Sequence, residues 1–275
     1  MAAMQVVTVD GTELEVSDQG SGEPVMLVQT ALTADEFAPV AAEAALRDGF
    51  RTILYHRRGY GRSTGASGPG SIARDAADCA ALLGALEIEQ AHVAGVSYSA
   101  AVAMQLASEA PRLVRTLTLM EPPPVHTPSA GEFRAVNDRL QRTRREEGVG
   151  AALDAFLTML VGPGWRDEVD GLVPGAAAQM DRDAATFFDT DLPALLGWRF
   201  GVDDARRIEC PVLHIAGAES GPWFAEVREL VLDWFPQAED VVIPGAGHSM
   251  AMTHPAAVAG TMARFLRRHQ SRLAT

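Results

Sequence analysis

The stretch Gly95-Val96-Ser97-Tyr98-Ser99 sets a serine between an apolar run, AHVAGV, and an alanine-rich stretch, SAAVAMQLASEA. A serine at such a junction can cap the helix that follows. It can also stand exposed on a sharp strand-to-helix turn as a nucleophile. The second use demands small residues two positions to either side, because strand and helix approach closely there. Gly95 and Ser99 are both small, so the local sequence admits either use. A nucleophilic serine also needs a base. His248, in the glycine-bounded stretch IPGAGHSM, follows an apolar run and precedes the last helical pattern. An imidazole on such a loop can take a proton from a nucleophile at a neighbouring strand end. The plainer alternative is a loop histidine satisfied by backbone.

Other histidines offer less. His92 and His214 lie inside strand-like runs, and His254 and His269 lie in or beside the terminal helical pattern. His56 ends the run RTILYH and opens HRRGYGRS, a loop rich in Gly and Arg. We read that loop as turn architecture, with Arg57 and Arg58 placed to pair with acidic groups.

The elements that must position these residues alternate along the chain. MQVVTV and TELEVSD flank Asp10-Gly11, a hairpin signal. PVMLVQT, RTILYH, AHVAGV, LVRTLTLM, CPVLHIAG and AEDVVIPG are short, mostly apolar runs of the kind buried on both faces of a parallel sheet. Helical patterns separate them: TADEFAPVAAEAALRD with Thr33 as N-cap, SIARDAADCAALLGALE with Ser71 as N-cap, WFAEVRELVLDWF, and AAVAGTMARFLRRHQ. The pattern predicts an α/β fold: a mostly parallel eight-stranded sheet opened by an antiparallel hairpin, with helices on both faces. Residues 122–205 interrupt the alternation with helical patterns such as EFRAVNDRLQRTRREEG and GAALDAFLTMLVG. A structureless loop of that length does not suit a compact domain. Residues 1–121 and 206–275 are therefore expected to form a core, with 122–205 an inserted helical subdomain.

Composition narrows the partners. The 275 residues carry a net charge of −13, and all 23 basic residues are Arg. An acidic surface argues against nucleic acid or an anionic membrane as partner. No apolar run reaches the ~20 residues of a membrane helix. The start MAAMQVVTVDG has neither a basic nor a long apolar region of a leader. Two distant cysteines, Cys79 and Cys210, fit a reduced, cytoplasmic protein without a disulfide framework or a structural zinc site. No phosphate-binding loop or cofactor motif is present, so no cofactor and no metal are expected. The expected partner is a small-molecule substrate, and a homodimer is compatible with the sequence.

In order, PVMLVQT, HRRGYGRS, GVSYS, LTLMEPPP, a helical insert, CPVLHIAGAES and IPGAGHSM resemble the α/β-hydrolase superfamily over essentially the whole chain. The resemblance implies that Ser97 is the nucleophile, His248 the base and 122–205 a cap over the pocket. By position, the backbone amides of Ala31 and Tyr98 would form the oxyanion hole. Three departures stand out. The usual His-Gly after the third strand is Gln29-Thr30 here, two polar residues that could line the pocket. The last glycine of the serine motif is Ser99. The aspartate usually found three residues after the glycine ending the penultimate strand is Ser220. Glu121, at the exit of LTLM and stiffened by Pro122, Pro123 and Pro124, is the preferred substitute, as in members resembling haloalkane dehalogenases. Glu219 is the second candidate, and a cap-hinge carboxylate is the plain alternative for Glu121.

A serine, a histidine base and two amide donors perform acyl transfer. A serine at position 97 argues against dehalogenase or epoxide hydrolase chemistry, which needs a carboxylate there. Most aromatic residues of the insert are expected to form its core, and some, Trp198 among the candidates, to wall an apolar pocket. The expected activity is hydrolysis of a small or medium-sized apolar ester, lactone or thioester through an acyl-enzyme on Ser97. The alternatives are a C–C bond hydrolase, a non-hydrolytic cyclase of secondary metabolism, and a ligand-binding pseudoenzyme.

Overall fold

The computed structural model describes residues 4–65 and 69–270. Residues 1–3, part of the start searched for a leader, lie outside that range. No helix among the described residues is long and apolar enough to cross a membrane.

Eight strands form one sheet in the order β1-β2-β4-β3-β5-β6-β7-β8. They are β1 Gln5–Val9, β2 Thr12–Gly20, β3 Glu23–Leu27, β4 Phe50–His56, β5 Ala91–Val96, β6 Val114–Met120, β7 Val212–Gly217 and β8 Glu239–Ile243. β2 pairs antiparallel with both β1 and β4, and every later pairing is parallel. The hairpin turn falls on Asp10 and Gly11, both at positive φ, which suits the twist of the flanking strands. β5 is buried at all six residues, which explains its unbroken apolar sequence.

Helices Ile72–Ala85, Tyr98–Glu109 and Pro222–Trp234 supply one apolar cluster against the sheet; Ala38–Ala42 and Pro255–Arg268 supply the other. Ser71 caps its helix, accepting from Arg74 N–H. The helix expected from Thr33 differs. It begins at Ala38, with Pro39 in its first turn, and breaks at Glu43 before Ala44–Arg47. Proline suits a first turn, and residues 32–34 ahead of it are held by other contacts described below.

Between β6 and β7 lie helices Ala130–Glu146, Val149–Leu160, Trp165–Leu172, Ala176–Thr186 and Leu192–Gly197. A π-helical turn, Phe187–Asp191, joins the last two. These helices share a third apolar cluster that includes Leu153, Trp165, Met180 and Phe188. Leu32, from the loop after β3, and Met252, in the short helix Met250–Thr253 after β8, belong to the same cluster.

Candidate active site

In a parallel sheet the strand exits converge on one edge, where loops are free to carry reacting groups. Here three of those exits hold a non-glycine residue at positive φ: Leu32 after β3 (66°), Ser97 after β5 (51°) and Glu121 after β6 (43°). Such conformations cost roughly 1–3 kcal/mol each and persist only where surrounding contacts over-determine them.

Ser97 sits on the turn between β5 and helix Tyr98–Glu109, with ψ of −119° and its N–H given to Met120 C=O at 3.0 Å. Ser97 therefore has a backbone unlike that of an ordinary helix cap, and its side chain makes no cap hydrogen bond. Gly95 is required by the same turn: a Cβ there would lie 2.3 Å from Ser99 C=O. Ser99, the departure from glycine, braces the turn. Its Oγ accepts from Val96 N–H at 2.9 Å and donates to Val96 C=O at 3.0 Å. The hydroxyl thus satisfies backbone groups that the turn removes from the strand ladder.

Glu121 and His248 meet across the top of β7. Glu121 is fully buried. Its Oε2 lies 2.7 Å from His248 Nδ1, and its Oε1 accepts from Gly217 N–H at 2.8 Å. A carboxylate on Nδ1 fixes the tautomer in which Nε2 is free to accept a proton. Glu219, the competing carboxylate, is exposed. Ser220 Oγ, at the position where the resemblance led us to expect an aspartate, is buried without a partner. The ring of His248 is stacked on Phe224, with centroids 4.0 Å apart and planes inclined by 16°.

The polar residues after β3 are spoken for by the scaffold. Thr30 donates its hydroxyl to Val96 C=O at 2.9 Å. Gln29 Oε1 accepts from Arg57 N–H at 2.5 Å, while its Nε2 is buried without a partner. Of the two, only Gln29 keeps a free polar atom. Trp198 packs between His126 and Phe200, with Nε1 donating to Gln105 at 2.8 Å, as a core residue does.

Arg57 and Arg58 do pair with acids, as the sequence suggested. Arg58 meets Asp78 at 2.6 Å. Arg57 is buried between Asp75 at 2.7 Å and Asp191 at 2.6 Å. Burial alone would lower its pKa, but Asp191 and Asp75 hold it well above the usual arginine value. His56 bridges Glu15 and Asp35. His92 and His214 bond to Thr116 and Asp240 within the sheet, and burial lowers the pKa of both.

Sequence reasoning missed Glu36. Its carboxyl, in the loop after β3, is 7% exposed and faces His248 electrostatically. Burial pushes its pKa up to about 7, and the charge of His248 offsets only part of that rise. Nothing in TADEF separates Glu36 from its half-exposed neighbour Asp35. Among the described residues, no group of three or more His, Cys, Asp and Glu is arranged to hold a metal ion.

Strand exits that gather a strained serine, a histidine and a buried carboxylate on a doubly covered parallel sheet define the class of fold. The family model described as "Alpha/beta hydrolase family" matches residues 30–261, and the chain belongs to this family. RutD of Azorhizobium caulinodans, which carries a provisional carbamate hydrolase name, is 32% identical over 86% of this chain and 88% of its own. BpoC of Mycobacterium tuberculosis, provisionally named a non-heme bromoperoxidase, is 28% identical over 92% of this chain and 97% of its own. Two solved structures share the fold at 23% identity and a TM-score of 0.80. They are an esterase from Thermogutta terrifontis (98% of this chain, 100% of that one) and the enol-lactonase from Burkholderia xenovorans LB400 (96% and 100%).

Proposed function

We propose that this protein is a serine hydrolase acting on a small or medium-sized apolar ester, lactone or thioester, with Ser97 as nucleophile, His248 as base and Glu121 as the orienting acid. The observation that carries the reading is the Glu121–His248 pair at 2.7 Å, reached from β6, together with the strained turn at Ser97.

Glu121 keeps the proton on Nδ1, so His248 Nε2 accepts the Ser97 hydroxyl proton as Oγ attacks the acyl carbon. The carbonyl electron pair moves onto oxygen, where the amides of Ala31 and Tyr98 stabilise it. Collapse of the adduct expels the alcohol or thiol, which takes the proton from His248. Water, activated by the same imidazole, then releases the acid.

The apolar preference follows from the third cluster. Leu32 lies beside Ala31 in sequence and Met252 lies four residues past His248, and both join the apolar side chains of the inserted helices. Residues 122–205 accordingly act as the cap on a core made of 1–121 and 206–275. Three of the four compared proteins carry names, esterase, enol-lactonase and carbamate hydrolase, that describe attack on an acyl carbon; the fourth is named a non-heme bromoperoxidase.

A fluorophosphonate probe and a p-nitrophenyl ester series test the reading. The probe should add once, to Ser97, and turnover should rise from acetate to medium chain lengths. Absence of both labelling and turnover at neutral pH would favour a binding protein that keeps the fold without the chemistry.

A further inference from the structure

The loop that carries Ala31 has little regular pairing of its own, yet it contains a strained residue, Leu32. Its geometry is set from two directions. Gln179, on helix Ala176–Thr186, donates from Nε2 to Leu32 C=O at 2.9 Å and accepts on Oε1 from Ala34 N–H at 3.1 Å. One buried side-chain amide therefore spans the loop. Tyr60 supplies the other hold: its hydroxyl oxygen accepts from Leu32 N–H at 2.8 Å.

Tyr60 is itself fixed by the inserted helices. Its O–H donates at 2.5 Å to Asp191, the last residue of the π-helical turn and only 1% exposed. Asp191 also takes Arg57 through both terminal guanidinium nitrogens, at 2.6 and 3.2 Å. Arg57 Nε then donates to Gln29 C=O at 3.0 Å, at the start of the same loop. The second proposed donor belongs to the same set. Tyr98 gives its O–H to Asp75 at 2.7 Å, and the Arg57 guanidinium lies over the Tyr98 ring at 4.3 Å. The loop of one proposed donor and the side chain of the other are thus both tied to one buried cation, whose counterions come from the core (Asp75) and the cap (Asp191).

We propose that Gln179, Tyr60 and Asp191 are positioning residues for the oxyanion hole, so that the docked cap segment 179–191 sets the 29–34 loop in its stabilising geometry. This rests on the hydrolase reading above. The physical case is that a non-glycine residue at positive φ relaxes once its contacts go, and an amide displaced by even 1 Å no longer meets the developing oxyanion. A cap that only covered the pocket would act on substrate binding alone.

Gln179→Met keeps the size of the side chain and removes both hydrogen bonds to the loop. Tyr60→Phe removes the acceptor of Leu32 N–H and the donor to Asp191. Hydrogen exchange of the full chain, followed on peptides spanning 28–36, should show faster exchange at the Leu32 and Ala34 amides in both variants. Exchange equal to wild type would overturn the proposal whatever the protein's activity. With p-nitrophenyl butyrate, kcat should fall at least tenfold with KM within twofold. Affinity for a trifluoromethyl ketone, whose adduct on serine mimics the oxyanion, should fall by the same factor. A raised KM with kcat retained, or unchanged inhibitor affinity, would show that the cap merely binds substrate and would overturn it. Should one variant lose the fold, the other carries the same expectations, since each removes a separate hold on the loop. A wild-type protein without labelling or turnover would sink the hydrolase reading, and the exchange measurement would still decide whether the cap holds the loop.

Discussion

The imidazole of His248 lies flat on the ring of Phe224, 4.0 Å from centroid to centroid. Glu121 fixes one edge of the imidazole and Phe224 fixes its face, so the two contacts together leave the ring little freedom to rotate. Aromatic pairs contribute about 0.5–1.5 kcal/mol beyond the area they bury. Phe224→Ala should lower kcat/KM for a p-nitrophenyl ester by roughly 3- to 10-fold, with the loss falling on kcat. Unchanged steady-state kinetics would mean that Glu121 alone orients the base.

Glu121→Gln should be far more costly. The new amide oxygen can still accept from Gly217 N–H, which leaves the NH2 group facing His248 Nδ1. That arrangement favours the tautomer with its proton on Nε2, where the base must be free, and the analogous change in a serine protease costs about 10⁴-fold. A loss of kcat by at least a thousandfold, with the circular dichroism spectrum retained, is the expected outcome. Activity near wild type would shift the acid to Glu219.

Restoring the family glycine at position 99 should weaken the protein. Ser99→Gly removes the acceptor of Val96 N–H and adds backbone freedom to the first turn of helix Tyr98–Glu109. Leaving a buried donor unsatisfied costs about 1–3 kcal/mol, and glycine in a helix adds roughly another 0.5–1 kcal/mol. Urea denaturation of the variant measures the sum, and a rise in stability would count against the bracing role of the hydroxyl.

Glu36 makes stability depend on pH. Its folded-state pKa, about 7, lies above the ordinary 4.5, so between those values the folded state holds a proton that the unfolded chain gives up. The stability from this group is full below pH 4.5 and is lost as pH rises towards 7. The whole change is on the order of 3 kcal/mol. Glu36→Gln should match wild type in Tm near pH 5 and exceed it near pH 8. Parallel Tm curves for the two proteins across that range would refute the assignment.

Much of the frame was legible because parallel strands buried on both faces are written as short apolar runs, and reacting groups follow where those runs end. Ser97, His248 and Glu121, the residues proposed above for the chemistry, were singled out in that way, each at a strand exit. What lay beyond the sequence were contacts between distant segments. Gln179 reaches Leu32 across 147 positions, and Asp191 reaches Arg57 across 134. An Asp in a helical insert looks like a solvated charge until a buried guanidinium is found opposite it. Phe224 likewise reads as one more apolar position of its helix, and Thr33 as a cap, because neither the imidazole nor the clamp on the 32–34 loop is local. Gln29 and Thr30 looked like pocket polarity, whereas the Thr30 hydroxyl and the Gln29 side-chain oxygen were already committed to backbone.

The acid on β6 also constrains how such a protein can change over generations. Glu121 serves His248 with one oxygen and Gly217 N–H with the other, while Ser220 Oγ sits close beside Gly217. Ser220→Asp alone would crowd a second carboxylate against the first, and like charges in one pocket cannot both stay ionised. Loss of Glu121 alone strands both the imidazole and the amide. On the hydrolase reading proposed above, each single step passes through a poorer catalyst, so the two placements of the acid are separated by a valley that only a paired replacement crosses. Sequences of this kind should therefore divide cleanly, carrying one carboxylate or the other and seldom both.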